Sequence, residues 1–200
     1  MTPWMDQVDA DFLSLEKIKQ GNEAGLKELM ERHREALFRF IYRYVQNESD
    51  AAELTEQTFL RVYQTAGKFR PKAKVGTWIF SIAGNLCRDS IRKSRRRGEV
   101  ISMNAPIAGG NGSEWEDTYS SEVRNPEESA VSREALQAIE SAIHDLPHKL
   151  RFPFIYCILE DNSYEACAEV LKISRKTVEM RIYRARKRLQ QEMAELFENL

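Results

Sequence analysis

Between Glu99 and Asn125 the apolar periodicity of this chain stops, and Pro106, Gly109, Gly110, Gly112 and Ser113 collect there, with Pro126 just beyond. A stretch of that composition reads as a flexible linker. On both sides the spacing of apolar residues is helical. The 200 residues therefore divide into two small helical cores rather than one large one, and each half is long enough to fold, since domains run from about 50 residues upward. The expected fold is all-α, with a helical domain over 1–98, an acidic flexible linker over 99–132 and a helix-turn-helix domain over 133–200.

In the first half, Leu26, Leu29, Met30, His33, Leu37, Phe40, Ile41 and Tyr44 follow the i, i+3, i+4, i+7 stripe of an amphipathic helix, which the run from Asn47 to Asp50 interrupts. Asp50 is suited to cap a second helix with Ala51, Leu54, Thr58 and Val62 inward and Glu53, Glu56, Gln57 and Arg61 outward. After a loop containing Pro71, a third helix carries Trp78, Ile79, Ile82, Leu86 and Ile91 and dissolves into the basic run ending at Gly98. In the second half, Leu136, Ile139, Ile143 and Leu146 resume the spacing, and Pro147 suits the first turn of a new helix. Pro153 lacks the N–H that a helix interior needs, so that helix either kinks or starts near Pro153.

Charge is segregated although the net charge is only −1. Arg61 to Gly98 holds eleven Lys or Arg against one acid, Glu99 to Ser132 seven acids against one base, and Lys172 to Arg188 eight bases against one acid. That order implies two polyanion-facing surfaces separated by a segment that polyanions repel. Cys87, Cys157 and Cys167 lie inside apolar patterns without CxxC or His-rich spacing and read as small buried hydrophobes, so neither a disulfide nor a metal site is expected. His33, His144 and His148 are scattered, and no paired carboxylates flank a Gly-rich loop. The chain therefore offers no catalytic constellation: no enzyme, cofactor or small-molecule substrate is expected. No run approaches the roughly 18 apolar residues of a membrane span. The start, with Asp6, Asp9 and Asp11, lacks the order of a signal peptide, and a cytoplasmic home is expected.

The most specific local pattern lies near the C-terminus. Ser163 can cap a short helix in which Tyr164, Cys167, Ala168 and Leu171 share a face; Lys172, Ile173 and Ser174 make a tight turn; and Ser174 can cap the next helix. There Val178, Ile182, Ala185 and Leu189 form a buried stripe, leaving Arg175, Lys176, Glu179, Met180, Tyr183, Arg184, Lys187 and Arg188 outward. Such a helix mounts on its apolar side and can present cationic and aromatic side chains to a major groove.

Ser163 to Leu171 followed by Ile182 to Leu189 resembles region 4 of the extracytoplasmic-function (ECF) sigma factors of the sigma-70 family. The stretch Asp50 to Arg61, reading DAAELTEQTFLR, is similar to the region 2 helix that grips the polymerase clamp, and Lys68 to Asp89 to the promoter-melting part. The likeness covers about residues 11–98 and 133–192. Departures occur at Glu56 and Gln57, where the family commonly reads Gln-Glu, at Ser81 and Gly84, where it often has Arg, and at Ala166, which replaces a frequent Glu.

The resemblance implies a sigma factor that binds core RNA polymerase at its clamp and flap, reads promoter DNA and helps melt it, and is held inactive by an anti-sigma protein. It assigns clamp contacts to Asp50, Glu53, Leu54, Gln57 and Arg61. Minus-10 contacts fall to Lys68, Phe69, Arg70, Lys72, Lys74, Trp78, Asn85, Arg92 and Lys93, with Phe69 and Trp78 as stacking surfaces and Asn85 as reader of a flipped base. Minus-35 contacts fall to Arg175, Lys176, Thr177, Glu179, Met180, Tyr183, Arg184, Lys187 and Arg188. From the residues alone a second reading stays open, a stand-alone helix-turn-helix regulator that binds a palindromic site without polymerase.

Overall fold

The computed structural model describes residues 9–70, 74–97, 136 and 138–198. Asp9 accepts the Asp11 N–H at 3.1 Å and begins α1 (Ala10–Lys19). That helix stops where Gly21 turns to φ +80°, which lets the Gly21 and Asn22 N–H groups reach the carbonyls of Ile18 and Lys17 at 2.9 Å. Such a left-handed closure satisfies carbonyls that the helix end would otherwise orphan. In α2 (Ala24–Val45) the buried line of Leu29, Leu37, Phe40, Ile41 and Tyr44 is the stripe read from the sequence.

α3 (Glu48–Thr65) is capped by Asn47, whose side-chain oxygen accepts the Asp50 N–H at 2.9 Å, and not by Asp50. Asn47 has the extended backbone that a cap requires. Asp50 instead places its carboxylate in the first turn, where the helix dipole favours it. A short 3-10 turn (Ala66–Lys68) leads toward α4 (Val75–Arg97). α4 continues through the basic run instead of dissolving in it, because Lys and Arg rank among the good helix formers.

In the second half α5 (138–145) precedes Pro147 and α6 (His148–Phe154), which contains Pro153. The helix starts at Pro147 as the sequence suggests, and it loosens after Pro153 rather than starting late. Residues Ile155–Leu159 form a π turn, with the Glu160 N–H reaching the Ile155 carbonyl at 3.0 Å. α7 (Tyr164–Leu171) and α8 (Arg175–Glu198) complete the chain. Among the described residues no helix is long and apolar enough to cross a membrane.

α1 lies along α2, held by Asp11, which takes Arg32 Nε at 2.7 Å and His33 Nε2 at 2.6 Å. α2, α3 and α4 pack together, as do α6, α7 and α8. Sequence patterning separates these into two cores, but in the structure their apolar faces meet. Phe40 contacts Phe80 and Phe152 at ring separations of 5.4 Å, and Tyr156 stands 5.3 Å from Phe80. A buried aromatic cluster thus joins α2 and α4 to α6 and the π turn, and α7 packs on α4. From sequence, each of these rings reads equally well as a core residue of its own half.

His148 sits at this junction, its Nδ1 hydrogen-bonded to the Tyr44 hydroxyl. Burial, reinforced by Arg88, Arg151 and Arg181 and only partly countered by Asp89, pulls its imidazole down to about 4. An unperturbed imidazole titrates near 6.5. The packed arrangement therefore prefers neutral His148: the stability it contributes is whole above pH 6.5 and is lost as pH falls from there toward 4. Glu160, whose carboxyl burial pushes above its ordinary 4.5, acts with the opposite sign, since its penalty lifts as the carboxylate takes up a proton. The urea midpoint is accordingly expected to drop between pH 7.5 and pH 5.5. His148→Asn, which keeps an acceptor near the Tyr44 hydroxyl but cannot charge, should flatten that slope; an equal slope in the variant would show that His148 is not its source.

Candidate nucleic-acid interface

The turn between α7 and α8 is built locally. The Ser163 hydroxyl accepts the Ala166 N–H at 3.1 Å, which is the simple cap that remains without a Glu at position 166. Lys172 takes the left-handed conformation at φ 52°, so the Ile173 N–H reaches back to the Ala168 carbonyl at 3.1 Å. Ser174 then accepts the Thr177 N–H at 3.2 Å and opens α8. Caps of this kind each contribute about 1 kcal/mol. They set the angle at which α8 leaves α7.

Val178, Ile182 and Ala185 are buried, and they mount α8 on α6 and α7. The opposite face is exposed: Arg175, Lys176, Glu179, Met180, Tyr183, Arg184, Lys187 and Arg188, with Tyr183 at 62%. Thr177 is half-buried and its hydroxyl hydrogen-bonds Ser174 at 2.8 Å, which makes it part of the cap. Arg175 pairs with Glu165 at 2.7 Å and Glu179 at 3.4 Å, and Arg188 with Glu192 at 2.9 Å. Lys176, Arg184 and Lys187 form no ion pair with a described residue, so phosphates would meet no competing carboxylate there.

At the other basic surface, Lys68, Arg70 and Lys74 are exposed around the corner before α4, and Lys72 lies outside the described residues. Phe69 is corrected by the structure: it is 7% exposed, packed 5.2 Å from Trp78 with Lys19 Nζ 5.9 Å over its ring, and it cannot present a face to an unpaired base. Trp78 is half-buried, anchoring the corner while keeping part of its surface in solvent. Asn85 is exposed, and its amide oxygen accepts from Arg88 Nη2 at 3.0 Å. Arg92 and Lys93 follow, also exposed. Arg88 joins Asn85 and Arg92 on one helix face and was missed in the sequence, although its spacing of three from Asn85 could have found it. The Ser81 hydroxyl bonds the Trp78 carbonyl at 2.7 Å and Gly84 is buried, so neither supplies an outward group.

On α3, Asp50, Glu53, Gln57 and Arg61 are exposed in a row, Gln57 donating to Glu53 at 2.8 Å. Leu54 is the second correction: at 6% exposure it faces the core with Ala51 and Val62, a position its place in the inward stripe already implied. Leu60 at 56% and Tyr63 at 38% exposure were missed. With Leu26 and Met30 they line an apolar groove between α2 and α3, rimmed by Lys27, Glu31, Arg34 and Glu35. Two apolar residues off the inward stripe were the available signal. The cysteines are all buried, and burial pushes the Cys87 thiol up, as does contact with Cys157 for Cys167.

A helix-turn-helix stands on one block, and on the other a basic helix lies beside an acidic, partly apolar one, an arrangement suited to a DNA-binding protein. The family model described as Sigma-70 region 2 matches residues 29–97, and that described as Sigma-70, region 4 matches residues 136–189. The chain is 26% identical over 182 residues to the ECF RNA polymerase sigma factor SigW of Bacillus subtilis, spanning 91% of this chain and 96% of that one. It is 30% identical over 177 residues to the ECF RNA polymerase sigma factor SigE of Mycolicibacterium smegmatis, spanning 87% and 65%. In fold it is similar to CnrH in complex with the cytosolic domain of CnrY, with TM-score 0.67 and 23% identity over 94% of this chain and 99% of that one. It is also similar to the sigma factor RpoE in complex with the anti-sigma factor NepR from Bartonella quintana, with TM-score 0.60 and 21% identity over 84% and 96%. The chain belongs to the sigma-70 family, as an RNA polymerase sigma factor of the ECF class.

Proposed function

We propose that this chain is a non-catalytic, cytoplasmic initiation factor that docks on core RNA polymerase through α3 and places two DNA-reading surfaces on a promoter. The exposed cationic and aromatic face of α8, mounted by a buried stripe on a capped turn, carries the proposal. In this reading residues 1–98 and 133–200 act as separate domains joined by the acidic stretch 99–132. Asp50, Glu53, Gln57 and Arg61 contact the polymerase clamp, and Leu60 and Tyr63 add the apolar surface that polar rims surround at protein interfaces. The second domain leans on the flap.

Lys68, Arg70, Lys74, Arg88, Arg92 and Lys93 hold phosphates of the minus-10 region, while Asn85 reads a base edge and the open side of Trp78 stacks. Arg184 and Tyr183 stand at the centre of the minus-35 face. Lys176 and Lys187 flank them as phosphate contacts, and Met180 offers apolar contact to a thymine methyl. An anti-sigma protein is the expected inhibitor, as two similar folds are solved with such partners.

The test is gel filtration of the purified chain with bacterial core polymerase, followed by transcription from a promoter library. Co-elution and selective transcripts are expected. Leu60→Glu should weaken core binding about tenfold or more, as loss of one interface anchor does, without changing the melting temperature, because Leu60 is 56% exposed. Binding of duplex DNA at a palindrome without any response to core polymerase would replace this reading with the stand-alone regulator.

A further inference from the structure

We infer that α1 is a positioning platform for the corner before α4: it supports both flanks of the segment that carries Lys68, Arg70 and Lys74, and Lys19 is the residue through which it acts. The platform stands on geometry; its consequence for strand capture rests on the function proposed above, which gives α1 no part.

The incoming flank is fixed through Phe69. Lys19, at the C-terminal end of α1, sets its ammonium 5.8 Å over the Phe12 ring and 5.9 Å over the Phe69 ring, and Glu16 pairs with the same ammonium at 2.6 Å. One cation thus bridges a ring of α1 to the ring that follows the 3-10 turn, and a cation attracts a ring face out to about 6 Å. α1 also packs on the turn itself, whose Ala66 is buried. Phe69 has an extended backbone, in which successive side chains leave on opposite sides. Seating its ring inward therefore turns Lys68 and Arg70 outward, where both are exposed.

The outgoing flank rests on the other end of α1. Gly76, in the first turn of α4, lies so close to α2 that an added Cβ would stand 3.2 Å from His33 Cε1 and 3.9 Å from Asp11 Oδ2. That turn is seated on the Asp11–His33 pair, by which α1 is tied to α2. The Trp78 N–H reaches the Lys74 carbonyl at 3.1 Å, and the Trp78 ring closes the corner against Phe69.

α1 can bear on the corner because it is itself tightly mounted. A Cβ on Gly25 would strike the Ser14 carbonyl oxygen and lie 2.9 Å from Lys17 Cβ, so the backbones of α1 and α2 meet there without a side chain between them. Beside that crossing the fully buried Ser14 hydroxyl donates to Glu28 at 2.6 Å and accepts from Arg32 Nη2 at 2.7 Å, and Lys17 also pairs with Glu28. A corner supported at both flanks presents its cations in one arrangement. Where only a fraction of molecules holds that arrangement, apparent affinity falls by the same fraction.

The experiment uses the full-length chain with Trp4 and Trp115 changed to Phe, so that Trp78 alone emits. Lys19→Gln removes the charge but keeps a good helix former, Lys19→Arg keeps the cation, and Gly25→Ala drives α1 away from α2. Acrylamide quenching of Trp78 reads the corner in the free protein. Capture is read as the affinity of the complex with core polymerase for a single-stranded minus-10 oligonucleotide, taken from a promoter that the library selects, at several salt concentrations. Lys19→Gln should raise the quenching and weaken capture about fivefold, as loss of exposed cation–π contacts implies, with core affinity and salt slope unchanged. Lys19→Arg should recover most of the loss, and Gly25→Ala should lose at least as much. Unchanged quenching in both Lys19→Gln and Gly25→Ala would overturn the platform, and greater quenching with unchanged capture would overturn its role. A salt slope shallower by about 0.7 would show that Lys19 itself holds a phosphate, which also overturns positioning. Greater quenching where no form, wild type included, binds core or strand would instead sink the polymerase reading and leave the platform standing.

Discussion

Phe40→Ala is expected to lower the stability of the chain by about 3–5 kcal/mol, the usual cost of truncating a buried aromatic. Phe40 is fully buried and touches Tyr44 and Phe80 from its own block and Phe152 and Tyr156 from the other. The hole left behind cannot collapse from one side, since rings pinned in both halves surround it. For a chain of this size each kcal/mol shifts the melting temperature by about 2–4 °C, so a drop of roughly 10 °C should be seen by calorimetry. Phe40→Leu should recover most of it. A drop of under 2 °C for the alanine variant would mean that the cluster is not a packed core.

Arg151→Met is the second large effect, about 3 kcal/mol. Arg151 is only 2% exposed, yet it carries a full charge, lies 5.2 Å over the Tyr44 ring and serves two carbonyls. Its Nε and Nη2 donate to Leu146 at 3.2 and 3.1 Å, and its Nη1 donates to Tyr44 at 3.1 Å. Methionine fills a similar volume but leaves both acceptors buried without this donor, at about 1–3 kcal/mol each. Arg151→Lys should restore less than half, because a single ammonium cannot reproduce the planar fork. Chemical denaturation measures both variants; full rescue by lysine would show that charge, and not the fork, is what the site uses.

The position of the Arg151 side chain also shows where sequence reading stops. Nothing in the string around it marks a buried cation, and Lys149 two positions before it is just as basic. The arginine is buried because the corner between α5 and α6 meets the C-terminal end of α2, where backbone carbonyls await donors. Leu54 and Phe69 went astray for a related reason: a motif carries a function for a segment, while burial selects which of its side chains can exercise it. Leu60 and Tyr63 are the converse, outward apolar residues whose groove exists only once α2 lies beside α3.

The helices, the Ser163 and Ser174 caps, the turn at Lys172 and the outward face of α8 were all determined by the sequence itself, because each depends on residues within a turn or two of one another. Only the tertiary structure decided that the two blocks share an aromatic cluster, that Gly84 is a notch for Phe152, and that Glu160 faces Arg43. Those contacts join residues far apart along the chain. Periodicity says which face of a helix is apolar, but not which other face will cover it.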